Sequence, residues 1–244
     1  MGNSPERAMA KETLWRLSAL ACGHPTPEFY EAVASRQFHD AFSAAWAQVA
    51  GQGWPGADVS PNFEAFEAGY ISAFLHGRNG KPLAALLVGE NENILAGLTR
   101  PVFMLNIAAF YKHFGLKPSI TDEGRHDEPD HLACMLEFMA VLCHLEAHAL
   151  KNERDPSAYR RAQRDFLCRY LGPALDAVAG QLRRAALPNL DPTIFTLLQD
   201  MDRWSLAQVS ELETRVGPFN DPDAPQQAHK AAPASQSAPQ NLWG

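Results

Sequence analysis

The stretch richest in reactive groups reads Glu128-Pro129-Asp130-His131-Leu132-Ala133-Cys134-Met135-Leu136-Glu137-Phe138-Met139. Carboxylates, an imidazole and a thiol crowd its start, and an apolar run with helical spacing follows. Asp127 or Glu128 can cap such a helix, Pro129 suits its first turn, and the Asp130 carboxylate is favoured near the positive end of the helix dipole. Asp130 and His131 then emerge together. Such a pair can bind an arginine or hydrogen-bond a peptide backbone, and it can equally serve only to stabilise the helix start.

Other constellations lead less far. His144-Leu145-Glu146-Ala147-His148 puts two imidazoles at i and i+4 on one helix face, a spacing that metals use. It is neither HExxH nor HxxEH, however, and no third ligand is evident. His131 and Cys134, at i and i+3, meet the same objection. The chain has no Gly-x-Ser-x-Gly elbow, no Walker-type phosphate loop and no convincing Cys/His/Asn arrangement. We therefore expect a binding protein and not an enzyme, with no metal and no cofactor of its own. The rival from another class is a small helical metalloprotein or hydrolase using His144 and His148.

A chain of 244 residues, 46% hydrophobic, is long enough to bury a real core in one large helical domain or two small ones. A formal charge of -7 and no large Lys/Arg cluster argue against nucleic acid, since phosphate-binding surfaces are basic. Partners should be neutral or cationic. Cys22, Cys134, Cys143 and Cys168 form no CxxC and read as buried thiols of a reducing compartment. The first thirty residues carry Glu6, Lys11, Glu12 and Arg16 without an unbroken apolar stretch, so no export signal is visible. No segment reaches the ~18 consecutive apolar residues of a membrane span. The expected location is the cytoplasm.

The elements that must position these groups are helices. Ser4-Pro5, Thr26-Pro27, Ser60-Pro61, Asp155-Pro156 and Asp191-Pro192 each set a capping side chain before a proline suited to the first turn. Apolar residues repeat at helical spacing in Leu14/Leu17/Ala21, Phe63/Phe66/Tyr70/Phe74 and Leu132/Met135/Leu136/Met139/Leu142. The reading is an all-α, compact bundle of about ten helices, at 5–21, 27–34, 36–50, 61–76, 101–114, 129–151, 156–170, 173–186, 192–201 and 203–216. Residues 117–127 lack periodicity and carry Pro, Gly and charge, so we expect a hinge there between an N-terminal lobe (1–116) and a C-terminal lobe (128–216). The Ala/Pro/Gln/Ser-rich end, 217–244, is expected to be a disordered tail.

The run Glu128-Pro129-Asp130-His131-Leu132, with Leu136-Glu137-Phe138-Met139 downstream, resembles the signature of the TorD/DmsD/NarJ family of redox-enzyme maturation chaperones. Phe110-Tyr111-Lys112-His113-Phe114-Gly115-Leu116 is similar to that family's tyrosine-then-Gly-Leu helix end, and Glu67-x-x-Tyr70-x-x-x-Phe74 to its Tyr-x-x-Leu-Phe helix. Residues from about 10 to 215 fit the family's helical order, and 110–142 are the distinctive part. The chain departs from the family's aromatic-Glu-Ser segment, reading Gly80-Lys81-Pro82-Leu83-Ala84-Ala85-Leu86-Leu87 instead, so contacts of that loop do not carry over. Within the family it looks closest to the chaperones of type II dimethyl-sulfoxide-reductase enzymes.

That resemblance implies a system-specific assembly chaperone. It would hold the twin-arginine leader, the apo catalytic subunit, or both, of a periplasmic molybdoenzyme until its molybdopterin cofactor is inserted. The alternative within the family is a NarJ-like cofactor-insertion factor for a leaderless subunit. A receptor for two guanidiniums and an apolar run needs carboxylates beside a greasy groove. The residues assigned to peptide binding are Tyr70, Phe74, Gly97, Glu123, Glu128, Asp130 and His131, with Tyr70 and Phe74 lining the groove and Gly97 allowing close backbone approach. A monomer and a domain-swapped dimer are both compatible with the hinge.

Overall fold

The computed structural model describes residues 4–116, 128–185 and 189–220. It is built from α1 (Pro5–Ala21), α2 (Pro27–Ala34), α3 (Gln37–Ala50), α4 (Phe63–Phe74), α5 (Arg100–His113), α6 (Leu132–Lys151), α7 (Ser157–Phe166), α8 (Gly172–Ala185) and α9 (Pro192–Val216). There is no β-strand among the described residues. The chain is all-α, as its periodicity requires, with fewer separate helices among the described residues than the sequence suggests: α7 and α8 form one rod, leaving eight.

Two expected breaks are absent. Pro173, read as the start of a new helix, instead follows a π-helical turn, Leu167–Leu171, in which the Gly172 N–H donates to the Leu167 carbonyl. The wider turn carries the backbone past a proline that offers no N–H and would crowd an ordinary α-helix. At Asp202-Arg203 there is no breaking residue, and burial continues from Leu198 and Met201 through Trp204 to Leu212, so α9 runs unbroken.

Capping follows the local chemistry. Ser4, Thr26 and Asp191 accept from Arg7 N (3.3 Å), Phe29 N (3.2 Å) and Thr193 N (2.9 Å). For α4 the cap is Asn62, which accepts from Ala65 N at 2.8 Å; the Ser60 N–H is engaged by Asp191 Oδ2 at 2.7 Å, so the helix starts later than Pro61.

α6 sits at the centre, packed along α1 and against α7. It is long and apolar enough to cross a bilayer, but its apolar residues are core: Leu132, Met135, Leu136, Met139, Leu142 and Cys143 are at most 1% exposed. One cluster of buried side chains runs from Ala10 to Leu212. Polar pairs pin the helices: Arg160 Nε donates to Glu146 Oε1 (2.7 Å), Gln163 Nε2 to Glu146 Oε2 (2.9 Å), Lys11 Nζ to Glu211 Oε1 (3.0 Å) and Arg7 Nη2 to Glu211 Oε2 (3.1 Å). Burial pushes the Glu211 carboxyl up, yet the Lys11 charge and the hydrogen bonds from Arg7 and Lys11 outweigh it and hold it at about 2. The expected hinge, 117–127, lies outside the described residues, as does the expected tail beyond Asn220.

Candidate functional site

The segment between α4 and α5 carries no helical periodicity, yet it builds the site. Its entry is tied to α4 by Leu83 N and Ala84 N, which both donate to the Ala73 carbonyl (2.9 and 3.0 Å). It then lies antiparallel to the start of α6: Val88 N donates to Asp130 O at 3.0 Å, Leu132 N donates to Leu86 O at 2.8 Å, and Leu87 and His131 form an isolated β-bridge. Ala84, Leu86 and Val88 are buried beneath it. These hydrogen bonds hold Glu128–His131 out of the helix, so α6 opens at Leu132 and not at Pro129. His131 is its cap, the ring Nδ1 accepting from Ala133 N at 3.2 Å.

Asp130 is fully buried behind this bridge. Its Oδ2 accepts from Arg100 Nε (3.0 Å) and Gly89 N (3.2 Å), and its Oδ1 from Arg100 Nη2 (3.3 Å). Arg100 Nη2 also donates to Glu128. The Asp130 hydrogen bonds, together with the charges of Asp130, Glu128 and Glu90, raise the Arg100 guanidinium further above its ordinary value against the opposing effect of burial. Gly89 is required here: a Cβ on it would stand 2.4 Å from Asp130 Oδ2 and 3.0 Å from Arg100 Cγ. Tyr111 completes the lock by donating to the Pro129 carbonyl at 2.8 Å, and burial pushes its phenol upward.

In front of the bridge is a groove of about 590 Å³, bounded by α4, residues 82–90 and the first turns of α6. Tyr70, Phe74, Leu75 and Leu86 form its apolar wall; Glu90, Glu128 and Glu137 supply its acid, and His24, His131 and Cys134 also face it. Tyr70 is fixed by donating to Cys22 O at 2.9 Å, and its ring meets Phe74 at 4.9 Å and the edge of His24 at 5.8 Å. Both aromatics are 4% exposed, so each offers the groove a rim of its ring and gives the rest to the core. The volume suits a short peptide segment or a drug-sized ligand.

Of the residues singled out from the sequence, Tyr70, Phe74, Glu128 and His131 meet in this groove. Asp130 stands behind it, its carboxylate already neutralised. Gly97 is exposed, at φ 85°, with open space where its Cβ would be, and it does not line the groove; the glycine in close internal contact is Gly89. Glu123 lies outside the described residues. Arg100, Gly89, Glu90 and Glu137 escaped the sequence reading. Only Glu137 carried a signal, because it stands inside the Leu-Glu-Phe-Met run on the helix opened by the acidic motif.

The two imidazoles of α6 have separate engagements: His144 Nδ1 lies 3.2 Å from Glu12 Oε2, and His148 Nε2 lies 3.3 Å from Asn152 Nδ2. Among the described residues no three His, Cys, Asp or Glu side chains converge as a metal set. No disulfide joins the described cysteines: Cys22 and Cys143 are buried, Cys134 and Cys168 partly so. Burial pushes the Cys22 thiol up to about 12 and that of Cys168 up to about 11.

Fold and site together define an all-α protein with an apolar groove rimmed by carboxylates. The chain belongs to the nitrate reductase delta subunit family, which matches residues 35–179. It is 49% identical over 238 residues to the dimethyl sulfide dehydrogenase assembly chaperone protein of Rhodovulum sulfidophilum, covering 98% of this chain and 94% of that one. It is also 36% identical over 129 residues to the selenate reductase assembly chaperone protein of Thauera selenatis, covering 53% and 62%. With the perchlorate reductase assembly chaperone protein of Dechloromonas aromatica it shares 29% over 174 residues, covering 68% and 75%. No solved structure matches it significantly.

Proposed function

We propose that this protein is a cytoplasmic, non-catalytic assembly chaperone for a molybdenum redox enzyme, and that its groove receives the client's twin-arginine leader or the apo catalytic subunit bearing it. Relatives named as assembly chaperones of dimethyl sulfide dehydrogenase, selenate reductase and perchlorate reductase support the client class. The observation that carries the leader reading is the groove itself: an aromatic and aliphatic wall for an apolar run, directly beside three glutamates suited to guanidinium groups.

Calorimetric titration with a synthetic peptide containing Arg-Arg followed by an apolar run tests this. We expect binding that weakens as salt rises, that drops when the arginines are replaced by glutamine, and that drops again in Phe74→Ala and Glu137→Gln. Equal affinity for the Arg-Arg and Gln-Gln peptides, or indifference to both variants, would refute the groove as a leader site. Parallel titration with the apo subunit lacking its leader distinguishes a factor that grips the mature subunit instead.

A further inference from the structure

Arg100 presents to Glu128 the same chemical group that the proposed leader would bring. Its guanidinium is held from behind by fully buried Asp130, through Nε at 3.0 Å and Nη2 at 3.3 Å, and the same Nη2 reaches Glu128 in the groove. The two carboxylates are unequal partners. Asp130 is wholly shielded from water and receives Gly89 N as a third donor, so its hold on Arg100 is firm. Glu128 has 37% of its side chain exposed and faces the groove, so that contact is solvent-screened and exchangeable. Around Arg100, among the described residues, one guanidinium faces three carboxylates: Asp130, Glu128 and Glu90. Among the described residues, Glu128 and Glu90 retain a net demand for positive charge after Asp130 has neutralised Arg100.

Resting on the reading of the groove as a leader site, we infer that Arg100 is an internal competitor for Glu128, and so a specificity-determining residue. A client guanidinium takes Glu128 from Arg100, or shares it, while Arg100 stays anchored on Asp130. The fork holds Asp130 through Nε and Nη2 while the same Nη2 reaches Glu128, so the competition depends on the length and the fork of arginine at this position. A client cation must outbid an arginine already in place, which penalises weak cationic ligands and favours those offering a second guanidinium to Glu90.

The test is a double-mutant cycle on the full-length protein, titrated with the Arg-Arg peptide. Arg100→Lys keeps a cation for Asp130 but is shorter and lacks the fork, which weakens the hold on Glu128, so affinity should rise about two- to fivefold, the worth of an exposed ion pair. Glu128→Gln should weaken binding, and adding Arg100→Lys to Glu128→Gln should restore nothing. Wild-type binding with no gain in Arg100→Lys, or the same gain with and without Glu128, would overturn the competition and leave the groove standing. No binding by the wild type would remove the leader reading and this inference with it. Should Arg100→Lys fail to fold, Glu90→Gln supplies the decision: this exposed position should cost the Arg-Arg peptide about two- to fivefold and a single-Arg peptide little, and equal losses would overturn the inference.

Discussion

Replacing Asp130 by asparagine separates two roles that sequence alone leaves entangled. If Asp130 bound a client arginine directly, Asp130→Asn would cost affinity and leave folding intact. The structure requires the opposite order. The carboxylate is fully buried and accepts three hydrogen bonds, two from a guanidinium and one from Gly89 N. An asparagine retains one acceptor oxygen and turns two donors toward groups that are themselves donors. Loss of one partner of a buried pair costs roughly 3–5 kcal/mol. Arg100 keeps Glu128 and remains 30% exposed, so it recovers part of this through water, and we expect about 2–3 kcal/mol. In a chain of this size that lowers the midpoint of thermal unfolding by roughly 5–10 °C. Urea denaturation followed by circular dichroism measures the loss. A variant within about 0.5 kcal/mol of wild type that still loses peptide affinity would refute the assignment of Asp130 as the lock behind the groove.

Gly89→Ala drives a methyl into Asp130 and Arg100, and should cost about 1–3 kcal/mol in the same assay; a neutral result would mean that the 86–90 segment is free to move. Glu211 has a folded value of about 2 against an ordinary 4.5, so its stabilising contribution is complete above about pH 4.5 and is lost as pH falls toward 2. Glu211→Gln should therefore be less stable than wild type at pH 7 and converge with it in acid, whereas parallel pH profiles would contradict the pairing with Lys11 and Arg7. Cys134 faces the groove while Cys22 is buried with its thiol raised to about 12. At pH 8, maleimide labelling of the native protein should reach Cys134 before Cys22, and the Arg-Arg peptide should slow it; labelling that peptide leaves unchanged would place the peptide elsewhere.

Much of the helical order is legible: apolar spacing and a capping residue before proline together mark α1, a capping residue before proline marks the starts of α2 and α9, and the Leu132/Met135/Leu136 pattern marks the core face of α6. Pro173 misled: it suggests a new helix because sequence carries no sign of the π turn that accommodates it. The groove was half legible. Tyr70, Phe74, Glu128 and His131 lie on or beside patterned elements and were found. Gly89 and Glu90 were not, because residues 86–90 are placed by backbone hydrogen bonds to Asp130 and Leu132, distant in sequence, and the identity of side chains says little about such bonds; Arg100 joins them only through its contact with the buried Asp130. Asp130 was chosen for its charge, while its role depends on burial, which that same missing contact creates.

An assembly chaperone of this family should hold the immature catalytic subunit of a molybdenum redox enzyme. The decisive measurement uses the purified protein as bait in extract of its native host, grown so that its respiratory enzymes are induced, with mass spectrometry of what it retains. The expected result is recovery of a molybdoenzyme catalytic subunit with its leader uncleaved, and loss of that partner when Phe74→Ala and Glu137→Gln are combined in the bait. No molybdoenzyme subunit on the bait, in extracts where such a subunit is demonstrably present and immature, would contradict it.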